Sequence, residues 1–166
     1  RSLMNANPLA LVDHLLSFSV PLVIIGGHAV NYHGYVRATE DTDIIFRRTP
    51  EAEGLLHEAL SEIDAFWISD QIDPQTGIEK TVPVDLAYLR SKRLMMVGSD
   101  LGYLDIFDYI PGLELLSVET AFQQASIANG RPFVALELLR RMKAASARPK
   151  DLDALENLPA SMPPHD

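Results

Sequence analysis

Cysteine is absent from the 166 residues. That excludes disulfides, thiol nucleophiles and cysteine-ligated zinc, and it suits a reducing cytoplasm. Long apolar runs are absent as well. None approaches the roughly 20 residues that span a bilayer, so a cytoplasmic protein with no membrane segment is expected. The N-terminus lacks the basic start and long apolar stretch of a signal peptide. The chain opens on Arg1, and Met4 is read as the native start, with residues 1–3 as a scar. Positive charge is scarce: 14 Lys and Arg face 23 Asp and Glu, for a net charge of −9. A field of that sign repels phosphate and disfavours indiscriminate nucleic-acid binding.

What is present suits one globular domain able to bury a core, with 47% apolar and 22% charged residues. Residues 8–18 space their apolar side chains as a helix. "VPLVIIGG" is a short buried strand stopped by glycines, and "HAVNYHG" a short helix that Gly34 ends. "DTDIIF" is a second strand. Thr49 and Pro50 cap and open a helix through "EAEGLLHEALSEI". "DPQTGIEK" is a turn that leads into a strand, "TVPVDLAYL", in which Pro83 marks an edge or a strand start. The stretch from 112 to 127 begins extended and turns helical. After it come a hairpin-like turn, a short strand and a helix, and then a last helix with Pro149 near its start. The expected class is α+β: a small mixed sheet flanked by helices, with a helical C-terminal part at about 117–158. Residues 1–158 are read as a single domain and the proline-rich 159–166 as a disordered tail.

Two patterns carry chemistry. Gly26 and Gly27 close the first apolar run, and after thirteen further residues come Asp41 and Asp43. Side chains alternate along a strand, so residues 41 and 43 share a face. Two carboxylates that close repel each other unless a cation lies between them, and hard divalent ions, Mg²⁺ above all, match their oxygens. An exposed strand end with both groups in water is the plainer alternative. The glycine pair permits a sharp turn and close backbone approach to an anion, or simply turns the chain. The dinucleotide fingerprint G-x-G-x-x-G is missing, as is the G-x-S-x-G elbow. Asp85, amid the apolar "VPVDLAYL", offers a third carboxylate or else an edge-strand charge that blocks aggregation. Six of the fourteen Lys and Arg fall between 131 and 150, opposed there only by Glu137. They form either a solvated helix face or a local anion site. His28 is read as a phosphate contact or a packed imidazole, and Phe66 and Trp67 as core.

Together, Ile25-Gly26-Gly27, the spacer and Asp41-Thr42-Asp43 resemble the signature of the nucleotidyltransferase superfamily built on the DNA polymerase β-type fold. "RATEDTDIIF" and "LELLRRMKAASARPKDLDALENL" are similar to runs of its small bacterial members, including those of abortive-infection and toxin–antitoxin systems. The resemblance implies a Mg²⁺-dependent enzyme with a two-metal site that moves an NMP from an NTP to a hydroxyl on an RNA end such as tRNA, a partner protein or a small molecule. The alternative it leaves open is a weakly active or inactive binding subunit of antitoxin type. By the same resemblance, Gly26 and Gly27 bind the nucleotide phosphates through backbone amides. Asp41 and Asp43 ligate metal, and Asp85 ligates metal and acts as general base. Lys143, with Arg148 and Lys150, neutralises triphosphate or meets the acceptor. Arg37 reaches phosphate or pairs with Glu40. Thr42 departs from the pattern, which commonly has an apolar residue there, and a buried hydroxyl needs a partner.

Overall fold

Four consecutive β-branched and leucine residues, Leu22–Ile25, form strand β1, buried on both faces. Strand β2, Thr42–Phe46, lies antiparallel beside it with Ile24 opposite Ile44 and Ile25 opposite Asp43. These are the two central strands of the sheet in a computed structural model that describes residues 7–39 and 41–160. The expected start at Met4, the Glu40 partner of Arg37 and tail residues 161–166 lie outside the described residues.

Helix α1, Ala10–Ser17, precedes β1, and the short helix α2, Gly26–Tyr32, follows it without a linker. After β2 comes α3, Pro50–Glu62. The Thr49 side chain accepts a hydrogen bond from Ala52 N and so satisfies one of the orphan donors at the helix start, as the sequence predicts. A two-stranded antiparallel arm then stands apart from the main sheet, with β3 at Phe66–Ile72 and β4 at Glu79–Pro83. Helix α4, Leu86–Ser91, leads to β5, Leu94–Val97, and β6, Leu104–Phe107. Helix α5, Val118–Gln123, precedes the hairpin β7, Ser126–Ala128, and β8, Arg131–Phe133. Helices α6, Leu136–Ser146, and α7, Pro149–Asn157, end the fold.

The six-stranded sheet has the order β5-β6-β2-β1-β8-β7. It is mixed: β2 runs parallel to β6 and β1 parallel to β8, while the other pairs are antiparallel. Alternation gives the sheet two buried faces. Leu22, Ile24, Ile44, Met95 and Ile106 pack with Leu15 of α1 and Leu56 and Leu60 of α3. Val23, Ile25 and Ile45 pack on the other face with Val30 of α2, Ala121 of α5, Leu139 and Met142 of α6 and Ala154 of α7. The α+β class and the helical C-terminal part follow the sequence reading.

Two sequence expectations change. Residues 84–91 do not continue the strand that ends at Pro83. The Asp85 carboxylate accepts a hydrogen bond from Tyr88 N at 2.8 Å and serves as the N-cap of α4. A residue that folds back on its own backbone in this way competes against strand and favours a helix start. The second change is the pair β5 and β6, unread in the sequence, which adds two strands and a new carboxylate.

Candidate active site

The site begins with the register of the sheet. In one row across four strands lie Ile25, Asp43, Asp105 and Met96, each directly opposite the next. Asp43 and Asp105 therefore stand side by side on the face covered by the C-terminal helices. Asp41 sits just before β2, close enough that its charge acts on both. Asp85, the expected third carboxylate, is instead the exposed cap of α4. Asp105 holds the place predicted for it. The signal was present in "LDIF", where an acidic residue sits between leucine and isoleucine on an alternating run, much as Asp43 does in "TDIIF".

Electrostatics sets this row apart. Burial, then the charges of Asp105 and Asp41, push the Asp43 carboxyl up to about 6; the ammonium groups of Lys143 and Lys150 pull the other way without offsetting it. Burial and the charge of Asp41 raise Asp105 as well. Oxygen donors with too little countercharge are the donor set that suits a hard divalent cation. Among the described residues, no three acidic or histidine side chains as they stand are placed to hold a metal ion together.

The glycines are fixed by close approach. Gly26 has φ +67°, and a Cβ there would run into the Asp43 carboxylate. A Cβ on Gly27 would run into the Thr39 hydroxyl. No side chain fits between this turn and its neighbours, so the backbone of the turn packs directly against Asp43 and Thr39.

A cleft of about 470 Å³ opens over the turn. Gly26, Gly27, Asp41 and Asp43 line it together with Arg37, Lys143, Arg148 and Lys150. Eight of the nine residues expected from the sequence thus meet in one place, all but Asp85. Lys143, Arg148 and Lys150 arrive by way of the α6–α7 segment, where Ala147 takes the left-handed conformation at φ 53°. Asp151, fully buried, anchors Lys143 and Arg148. It accepts from Arg148 Nε at 2.7 Å and lies 3.4 Å from Lys143 Nζ. Burial alone would raise its carboxyl, but its hydrogen bonds with Arg148 and Ser146 and the Lys143 charge hold it down at about 2. Burial lowers Lys143 in turn, by more than the attraction of Asp151 restores. Arg37 reaches Asp153 of α7 at 3.8 Å.

The remaining candidates have structural places. His28 is buried and lowered by that burial, and its Nε2 faces the buried Thr42 hydroxyl at 3.5 Å. The imidazole therefore accounts for the unusual threonine and points away from a phosphate role. Trp67 packs against the core and stacks on Tyr88 at 4.7 Å. Arg131, one of the basic run, is bound by Asp13 in two hydrogen bonds, and Arg140 donates to the carbonyls of Leu155 and Pro159. Only part of that run serves the cleft.

No protein-family model matches the chain, and no curated protein does. Solved structures do. The solution structure of the antibiotic-resistance factor ANT(2'')-Ia superposes with a TM-score of 0.51 at 16% identity, over 89% of this chain and 80% of that one. The crystal structure of ANT(2'')-Ia in complex with adenylyl-2''-tobramycin gives a TM-score of 0.51 at 16% identity, over 89% and 85%. An antigenic nucleotidyltransferase-like protein from Paracoccidioides brasiliensis reaches 0.49 at 18%, over 90% and 71%.

Proposed function

The chain carries the polymerase β-type nucleotidyltransferase fold, and from that premise we propose that it transfers an NMP from an NTP to a hydroxyl acceptor. The observation that carries this reading is the placement of Asp43 beside Asp105, against a glycine turn and in a cleft that four cations also line. In this reading the backbone of Gly26 and Gly27 meets the triphosphate where no side chain intervenes. Lys143, Arg148, Lys150 and Arg37 neutralise it. Asp41, Asp43 and Asp105 would hold Mg²⁺, whose charge would stabilise the leaving pyrophosphate. Asp105 replaces Asp85 as the group that takes the acceptor's proton. Asp151 keeps Lys143 and Arg148 aimed at the cleft, which spares the triphosphate the cost of ordering them. An RNA end, a protein side chain and a small molecule all offer a suitable hydroxyl. The binding-only alternative rests on Thr42 and on the net charge of −9; NTP binding without pyrophosphate release would favour it.

The test is transfer from each labelled NTP in Mg²⁺ to pooled acceptors, with pyrophosphate release as the readout. Asp43→Asn and Asp105→Asn should each cost at least about 100-fold, the scale of losing a group that acts on the transition state. Full activity in either variant overturns the mechanism.

A further inference from the structure

Strands β2 and β6 carry Asp43 and Asp105 side by side, yet they run parallel and no tight turn joins them. A hairpin fixes its register through its turn; a parallel pair must fix it in another way. Apolar patterning does half of that task. A slip of one residue would carry Asp105 to the opposite face, and burial excludes it. A slip of two residues, roughly 6.6 Å along the strand, is not excluded by pattern. It keeps Leu104 and Ile106 on the α3 face and Phe107 on the other, but sets Asp105 against Ile45 or Asp41 instead of Asp43.

An ion cluster just past the last residue pair, Ile45 with Phe107, separates these registers. Arg48 donates from Nε to Asp108 Oδ2 at 2.8 Å. Its Nη1 donates to Glu53 Oε2 of α3 at 2.7 Å and to the Leu89 carbonyl of α4 at 3.0 Å. Its Nη2 donates to the Lys92 carbonyl at 2.6 Å. Arg93 Nε holds the other Asp108 oxygen at 3.0 Å. The side chains of Asp108 and Glu53 are only 12% and 11% exposed, so each is costly without its partner. A guanidinium is a rigid planar fork, and four bonds to three segments leave it little freedom. The two-residue slip would draw Asp108 out of its reach.

Resting on the transfer reading above, we propose that Arg48 is a positioning residue: its hold on Asp108 locks β6 against β2 in the register that sets Asp105 beside Asp43. It acts from the α3 face of the sheet, opposite the cleft, and roughly 16 Å along the chain from Asp43. Arg47, its neighbour, turns the other way and donates two hydrogen bonds to Glu119 of α5. That pair ties β2 to a helix and leaves the register alone, which makes it a built-in control.

Asp108→Asn keeps the side chain's shape and removes its charge, Arg48→Lys keeps the charge and removes the fork, and Glu119→Gln is the control. In the metal-free chain, cross-strand nuclear Overhauser effects between β2 and β6 read the register directly. The parent and Glu119→Gln should show one set, with Asp43 against Asp105. Asp108→Asn and Arg48→Lys should show that set weakened or doubled. In the presence of NTP, the Mn²⁺ concentration for half-saturation, read by electron paramagnetic resonance, should rise at least about tenfold in both, and kcat should fall about 100-fold. NTP affinity in chelator should stay within about twofold, because the glycine turn and the cations are untouched. The double variant should be no worse than the poorer single one, since both changes release the same lock. Should Arg48→Lys fail to fold, Asp108→Asn decides alone. A single parental set of cross-strand contacts in the folded variants overturns the proposal, and so does a disturbed set with parental Mn²⁺ dependence. A parent that binds neither Mn²⁺ nor NTP sinks the transfer reading, while the cross-strand contacts still decide the lock.

Discussion

Asp43 is half-buried beside Asp105 and within the field of Asp41, so in the metal-free chain its charge opposes folding. Asp43→Asn should stabilise the metal-free protein by about 1–2 kcal/mol after allowance for solvent screening, a Tm gain of a few degrees in a melting curve. The same change should abolish transfer. A lower Tm would contradict the electrostatic account of the row. Asp85 behaves in the opposite way: Asp85→Ala removes the cap of α4 and should cost about 1 kcal/mol while transfer survives. Gly26→Ala should cost at least about 1 kcal/mol, because the new methyl meets a carboxylate and sits at positive φ. The glycine pair and the Asp41–Asp43 pair were legible in the sequence because their chemistry is local. A glycine turn and two acids one residue apart need no knowledge of the rest of the fold. Asp105 was not legible as their partner, since its nearness to Asp43 is produced by strand pairing between distant segments. Asp85 misled because "VPVDL" alternates like a strand, and so short a run does not distinguish strand from helix start.

Helices α6 and α7 work as one element, joined at Ala147 and pinned by Asp151. The pH dependence of that pin has a definite sign. The folded carboxyl of Asp151 lies at about 2, below the ordinary aspartate value of about 4. Its contribution is therefore fully present above about pH 4, declines as pH falls, and is gone below about 2. Chemical denaturation of the parent and Asp151→Asn should differ by on the order of 1–2 kcal/mol at pH 6 and converge towards pH 2. A gap that widens on acidification would refute the assignment. At this scale the sequence was most readable where helix starts speak plainly, as at Thr49-Pro50 and at Pro149. It was least readable at β5 and β6, four residues each. Their short runs carry too little periodicity to identify alone, and their places in the sheet follow from β6 pairing with β2 and β5 pairing with β6.

Across the whole molecule, a net charge of −9 coexists with a cationic wall on one cleft. Self-repulsion should ease as salt screens it, so raising NaCl from about 10 to 150 mM should increase the Tm of the metal-free chain. Nucleotide binding should weaken over the same range, because the cationic wall is screened too; calorimetry reads it directly. Mg²⁺ with an NTP at a hundredfold excess over Kd should add about 2.7 kcal/mol to stability, and chelation should remove it. One further consequence lies in how β2 reaches β6. The two strands run parallel, so the chain must cross over through α3, the arm, α4 and β5 before Asp105 can join Asp43. Contacts made across so much chain form late. During synthesis the glycine turn and first acids emerge early, the third acid much later, and Lys143, Arg148 and Lys150 nearly last. A nascent or prematurely terminated product lacks either the acidic row or the cleft's cations, and is chemically silent until almost the whole polypeptide has been made.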